Sequence, residues 1–251
     1  MRLTVLGSSA SCAGPGQACA GHYVEGGGAR VLLDCGNGVL SNLGRVTNPL
    51  ALDAVFVTHN HPDHYVDLYG LQSMARYAPE GAAGPIPLYL PEGLFERMQL
   101  LLSERGALEF AGAFVPVPLV HGESVIVGGL TVTPHLVEHT APTFALIVRA
   151  DGARLVYTAD TAPCDGVFEA AAGADLLLAE ATLPEKFASA APHMTAAQAG
   201  TLAAVAGAGA LVMVHVWPTN DREQMVALAS ENFGGPVTVA RELDEFEIAP
   251  R

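Results

Sequence analysis

The sequence predicts a layered α/β fold, in which a buried sheet is covered by helices on both sides. Three observations carry this reading. Short apolar runs recur along the 251 residues and end in His, Asp or Glu. Segments with helical periodicity lie between them. No low-complexity linker, charge run or short-period repeat divides the chain, so one domain over residues 1–251 is expected.

In chain order, MRLTVLGSSA reads as a first strand, because no long apolar stretch follows its single Arg as a signal peptide requires. The Gly-rich loop GSSASCAGPGQACAG comes next. It lacks the Lys-Ser/Thr of a phosphate loop, and its small residues either admit a substrate closely or form a turn. Arg30-Val-Leu-Leu then runs into Asp34, and Ala54-Val-Phe-Val into His59. Arg154-Leu-Val-Tyr leads to Asp160, Asp175-Leu-Leu-Leu to Glu180, and Leu211-Val-Met-Val to His215. Such continuous runs suit strands buried on both faces. Helical periodicity predicts helices over Asp63–Tyr77, Glu92–Glu104, Thr195–Ala206 and Asp221–Asn232, with Thr195 suited to an N-cap. In open α/β sheets ligands gather beyond strand ends, so five strands ending in His, Asp or Glu point to one shared site.

Composition excludes several classes. Half of the residues are hydrophobic, enough for a sizeable core, yet no apolar run approaches the roughly 20 residues of a membrane helix. A soluble, cytoplasmic protein is therefore expected. Cys12, Cys19, Cys35 and Cys164 show no CxxC spacing and are expected to be reduced. A formal charge of −14, with Lys186 the sole lysine, argues against wrapping long nucleic acid. A small anionic substrate fits only if something other than Lys supplies positive charge.

The chemistry concentrates in VFVTHNHPDHYVDL, residues 55–68. Alternate spacing turns His59 and His61 to the same side of extended backbone. Pro62 holds the preceding residue extended and is suited to start a helix, which places Asp63 and His64 in its first turn. Neutral imidazoles and carboxylates are ligands for zinc or a similar transition metal. The plainer alternative, surface histidines and a capping Asp, would suffice for a lone His-x-His but not for the whole string. His22, His121 and His135 stand alone and are assigned to packing, and Asp34 to bracing the His loop from behind.

His59-x-His61-x-Asp63-His64 after an apolar strand resembles the signature of the metallo-β-lactamase superfamily. His139 in VEHTAPTF, Asp160 in VYTADT and His215 in VMVHVW match its later motifs in order. MRLTVLGSSAS, LLDCGNG, Glu180-Ala-Thr and His193-Met-Thr resemble its ribonuclease Z-like branch, which contains phosphodiesterases. The resemblance implies a four-layer αββα sandwich, a homodimer, and two divalent metal ions. Zinc is the first choice, with manganese or iron as alternatives. One ion would take His59, His61 and His139, the other Asp63, His64 and His215, and Asp160 would bridge them. His193 would protonate the leaving oxygen, oriented by Glu180; the plainer reading of Glu180 is a strand-end carboxylate paired with an Arg. With Asp63, Asp160 and a bridging hydroxide, two divalent ions leave about one net positive charge for a phosphate anion, and Asp63 counts among the catalytic residues.

Two departures from the branch stand out. Ala159 replaces the Gly that commonly precedes the bridging Asp, at little cost if its backbone angles are ordinary. Ala179 stands where tRNA-processing members carry His. The interval from His139 to Asp160 has room for one hairpin and none for the long tRNA-clamping arm. The arm-less pattern resembles the atypical cyclic-nucleotide phosphodiesterases of actinobacteria and implies hydrolysis of a 3′,5′-cyclic nucleotide, cAMP first, to the 5′-monophosphate. The alternatives are a lactonase, thioesterase or biosynthetic hydrolase on the same scaffold, a tRNA 3′-processing endonuclease, and a metal-binding protein without turnover. The base pocket is expected around Ala141–Phe144 and Tyr65–Tyr77.

Overall fold

The structure, a computed structural model, describes residues 1–79 and 84–251. The first half of the chain lays down β1 (Arg2–Gly7), β2 (Gly21–Gly26), β3 (Ala29–Leu33), α1 (Val39–Val46), β4 (Ala54–Phe56) and α2 (Leu68–Tyr77). It continues through β5 (Ile86–Leu90), α3 (Leu94–Gln99), α4 (Glu104–Ala113) and β6 (Phe114–Pro118). The second half builds β7 (Val125–Val127), β8 (Leu130–Val137), β9 (Thr143–Ala150), β10 (Ala153–Tyr157), α5 (Asp165–Ala171) and β11 (Leu176–Glu180). It ends with α6 (Ala196–Val205), β12 (Ala210–Val214), α7 (Arg222–Ser230), β13 (Val237–Val239) and β14 (Glu245–Glu247).

These strands form two seven-stranded sheets, ordered β14-β1-β2-β3-β4-β5-β6 and β13-β12-β11-β10-β9-β8-β7. Each is mixed, with a parallel half: β3 to β6 in the first, β10 to β13 in the second. Leu33, Phe56, Leu146, Leu155, Leu178 and Val214 meet between the sheets. The outer face of the first sheet packs Leu32, Val55 and Leu88 against α1 to α4, and that of the second packs Leu177 and Met213 against α5 to α7. The result is the αββα sandwich. Its strands are buried on both faces because each sheet is covered twice, which is why their sequences do not alternate.

The helices follow the sequence less closely. α6 and α7 start where expected, capped by the Thr195 and Asp221 side chains, with a capping box between Thr195 and Gln198. The helix expected over Asp63–Tyr77 instead begins at Leu68, and Pro62–His64 form a separate 3₁₀ turn. The chain breaks because the His64 carbonyl accepts from the Cys35 amide and the Asp67 amide donates to the Cys35 carbonyl. Those bonds tie the turn to the end of β3. Of the helix expected over Glu92–Glu104 only Leu94–Gln99 forms, and the Ser103 hydroxyl caps a separate helix from Glu104 by accepting from the Gly106 amide. No helix among the described residues is long and apolar enough to cross a membrane. The four cysteines are free thiols, with Cys19 and Cys35 buried and Cys12 exposed.

Candidate metal centre

The carboxyl ends of the parallel strands meet at one end of the sandwich. The first sheet contributes Asp34 after β3, and His59, His61, Asp63 and His64 after β4. The second contributes His139 from the β8–β9 loop, Asp160 after β10, Glu180 at the end of β11 and His215 after β12. His193 arrives on the loop before α6. Six of the nine histidines thus converge. His22, His121 and His135 stay outside: His121 accepts from the Leu136 amide, His135 faces Glu169, and His22 is wholly buried.

Turning these side chains inward at the strand ends strains the backbone. Asp34 (φ 60°), Ala159 (φ 52°) and His215 (φ 49°) all adopt the left-handed conformation. Asp and His enter that region more readily than most residues, whereas Ala does so at a cost of about 1–2 kcal/mol. The condition under which Ala159 would cost little, ordinary backbone angles, is therefore not met. Gly is the residue without that cost, which accounts for Gly being common at this place in the related motif.

Two buried carboxylates organise the imidazoles. Asp34 Oδ2 accepts from His64 Nδ1 at 2.8 Å, from the Thr58 hydroxyl at 2.9 Å and from the Tyr157 hydroxyl at 2.9 Å, while Oδ1 accepts from the Thr58 amide at 2.8 Å. Because the Thr58 hydroxyl donates to Asp34, it accepts from His59 Nδ1 at 3.1 Å. Glu180 repeats the scheme. Its Oε1 accepts from His193 Nδ1 at 2.8 Å and its Oε2 from the Thr182 hydroxyl at 2.7 Å, which in turn accepts from His215 Nδ1 at 2.8 Å. His139 Nδ1 donates to the Pro192 carbonyl at 3.0 Å. A carboxylate or carbonyl can only accept, so these partners fix the tautomers and leave Nε2 of His59, His64, His139 and His215 bare and facing inward. The reading of Glu180 as an Arg partner is replaced by its pairing with His193.

The inward atoms fall into groups with metal-ligand spacing. Ligand atoms of His59, His61, His139 and Asp160 lie within 4.8 Å of one another, as do those of Asp63, His64 and His215. Asp160 belongs with both, since its carboxylate is 3.7 Å from His59 Nε2, 3.4 Å from His64 Nε2 and 3.4 Å from His215 Nε2. Its Oδ1 is buried without a hydrogen-bond partner, and the bare Nε2 atoms of His64 and His215 face each other at 3.4 Å. A pocket of lone pairs and carboxylates with so few donors fits cations.

The electrostatics agree. Burial pushes His59 well below the ordinary imidazole pKa and lowers His61 and His139, so these rings are neutral at pH 7. Burial also disfavours charge on His64, but Asp160 and Asp34 outweigh it and raise its affinity for positive charge. For Asp63 and Asp160 burial works upward, yet the surrounding imidazoles prevail and both stay ionised.

Residues 29–216 match the family model described as the β-lactamase superfamily domain. The chain belongs to that superfamily. An uncharacterized protein of Mycobacterium tuberculosis (strain ATCC 25618 / H37Rv) is 34% identical, over 99% of this chain and 92% of that one. Ribonuclease Z of Mycobacterium bovis (strain BCG / Pasteur 1173P2) is 30% identical, over 100% and 99%. The metallo-β-lactamase fold protein YhfI from Bacillus subtilis superposes with a TM-score of 0.87 at 26% identity, covering 98% of this chain and 99% of that one. The protein is a metallo-β-lactamase-fold hydrolase, and its His/Asp cluster is of the kind that holds divalent metal ions.

Within this superfamily member, Ala179 belongs to the apolar core between the second sheet and α5 to α7. The residue at that position therefore faces away from the cluster. β9 and β10 are joined through Asp151-Gly152 as a tight hairpin, leaving no arm between His139 and Asp160. Sequence reasoning did not find the hydroxyls of Thr58, Thr182 and Tyr157 or the Pro192 carbonyl. The two threonines had a signal, each lying within two residues of His59 or Glu180; Tyr157 had none beyond its place in a core strand.

Proposed function

We propose that this single-domain chain is a metal-dependent phosphodiesterase acting on a small phosphodiester, with a 3′,5′-cyclic nucleotide, cAMP first, converted to the 5′-monophosphate. His59, His61 and His139 would hold one ion, Asp63, His64 and His215 a second, with Asp160 between them. Two divalent cations, zinc first and manganese or iron as alternatives, would supply Lewis acidity and the positive charge that draws an anion to an acidic protein.

The observation that carries the reading is His193. Its ring centroid lies 4.8 Å from that of His139 and 5.7 Å from that of His215; a ring nitrogen also lies within 4.8 Å of ligand atoms of Asp160 and His215, but His193 belongs to neither proposed ligand set. Burial lowers its pKa, but the hydrogen bond and charge of Glu180 outweigh that and hold it above the ordinary value. An acid thus stands beside neutral bases, the separation of pKa values that proton transfer needs. With Nδ1–H committed to Glu180, Nε2–H is left to protonate a departing alkoxide, and Glu180 stabilises and orients the ring. Asp63 is held ionised, and the Ser11 amide donates to its Oδ2 at 2.9 Å. The absence of an arm in the β9–β10 hairpin and the charge of −14 favour a small substrate over tRNA.

The test is product analysis of cAMP incubated with protein reconstituted with Zn or Mn, beside Asp160→Ala. Conversion to 5′-AMP that the variant lacks is expected. Stoichiometric metal with no cleavage of cAMP or any other phosphodiester would overturn the reading. Cleavage of precursor tRNA alone would favour the endonuclease alternative, which the ribonuclease Z relative supports.

A further inference from the structure

Next to the cluster lies a cavity of about 420 Å³, within the size range of small-ligand sites. Leu94, Leu119 and Phe144 are its buried walls, and Pro142 stands exposed at its edge. Asn60 and Arg97 supply the polar groups, and Glu92 lies at the rim. The cavity and the metal centre share a wall. Asn60 sits between His59 and His61, and with those two turned inward it faces the other way. The Phe144 amide donates to the Thr58 carbonyl at 3.1 Å, and Thr140 reaches His61 Nε2 at 3.2 Å.

Among the described residues, neither the Asn60 carboxamide nor the Arg97 guanidinium has a hydrogen-bond or ion-pair partner. Two unpaired polar groups among apolar walls, with one carboxylate, Glu92, at the rim, are the arrangement of a ligand pocket. The neighbouring hollow beside His139 is lined instead by Glu138 and Asp165, which would repel an anionic substrate. Of the expected base-pocket segments, Pro142 and Phe144 line the cavity, whereas Tyr65–Tyr77 do not and Pro91–Arg97 take that side.

Resting on the phosphodiesterase reading, we propose that this cavity binds the purine base of a nucleotide substrate whose phosphate lies at the centre. The ring packs against Phe144, Leu94 and Leu119, and the Asn60 carboxamide pairs its donor and acceptor with the edge of adenine. Arg97 covers the ring face with its planar guanidinium.

The test compares kcat/KM for cAMP with that for bis(p-nitrophenyl) phosphate, a diester with no base, in wild type, Asn60→Ala and Arg97→Met. Arg97 is exposed on α3, so its variant keeps the fold if Asn60→Ala disturbs the His loop. The ratio is expected to fall about tenfold or more in each, mainly through KM for cAMP. An unchanged ratio in Arg97→Met, with both substrates cleaved by wild type, would overturn the pocket alone. Wild-type cleavage of the base-free diester but of no cyclic nucleotide would do the same. Failure of the wild-type, metal-loaded protein on both diesters would remove the phosphodiesterase reading and the pocket with it.

Discussion

Asp34→Asn is the substitution that most directly tests how the cluster is held. Asn is nearly the same shape and tolerates the left-handed conformation at this position, so the backbone has no reason to move. What changes is hydrogen-bond polarity. If the new amide NH₂ lies at the Oδ1 place, it meets the Thr58 backbone N–H, which cannot reverse, leaving a buried donor unpaired at about 1–3 kcal/mol. If it lies at the Oδ2 place it meets His64 Nδ1–H, and the imidazole can respond by changing tautomer. The second arrangement is favoured, and it puts a hydrogen on His64 Nε2, the atom that faces Asp160. Replacing charge-assisted bonds from Thr58, His64 and Tyr157 by neutral ones costs about 3 kcal/mol in sum, which a protein of ordinary stability survives. Metal affinity should fall by about 10- to 100-fold or more. Chelator titration followed by metal analysis measures the affinity, urea unfolding the stability, and nitrogen chemical shifts of the His64 ring the tautomer. Tyr157→Phe is the control, because it deletes one bond to Asp34 without forcing the tautomer, and it should keep its metal. Wild-type affinity in Asp34→Asn, with His64 still protonated at Nδ1, would refute the argument.

Other consequences follow from the same geometry. His193→Ala should lower kcat by about 10²- to 10⁴-fold with metal content unchanged. Since Glu180 holds the His193 pKa up, a rate that needs protonated His193 persists through neutral pH and falls as pH rises past the raised value; Glu180→Gln should move that alkaline fall to lower pH, and an unmoved limb counts against the role. Gly36→Ala would place a Cβ 1.9 Å from the Asp63 carbonyl oxygen, so it should displace the turn at Pro62–His64, lower stability by more than about 2 kcal/mol and weaken metal binding, as urea midpoint and metal analysis would report. At Ala159, Gly relieves about 1–2 kcal/mol of strain but loses a buried methyl of about 1 kcal/mol and gains freedom when unfolded, so its midpoint should stay within about 1 kcal/mol of wild type. Val, β-branched and larger in the same place, should cost several times more, and a stable Ala159→Val would contradict the φ argument.

The sequence disclosed most of the strand ends because two independent signals coincided there. An apolar run marks burial, and the His, Asp or Glu that stops it marks where burial ends. Helices carried one weaker signal. The Leu100-Leu101-Leu102 run extends the apolar pattern of α3, yet Leu100 and Leu101 are exposed, and the Ser103 cap opens a new helix instead. α1 contains Asn42 and Gly44, poor helix formers, and is held by the burial of Val39 and Leu43 against the sheet. Tertiary contact decides such a segment, and local propensity does not reveal it. The same holds inside the site. The ligand candidates were legible because metal chemistry restricts residue type, but the hydroxyls of Thr58 and Thr182 become informative only once two sheets have brought each between a carboxylate and an imidazole.

The division of labour between the sheets explains why two organising carboxylates are present. Asp34 stands at the end of the first sheet and aligns His59 and His64, which that sheet supplies. Glu180 stands at the end of the second and aligns His193 and His215, which come from its side. Each of these carboxylates therefore orients imidazoles of its own sheet. Each proposed ligand set then draws on both, His59 and His61 with His139, and Asp63 and His64 with His215. A cation at either place would close the seam between the sheets, where Tyr157 of the second already donates to Asp34 of the first. Without cations, Asp34, Asp63, Asp160 and Glu180 gather four carboxylates at one end of an acidic protein, with protonated imidazoles as their local counter-charge among the described residues. Cations bound by the proposed ligand sets would therefore stabilise the closure of the sandwich at this end by mass action.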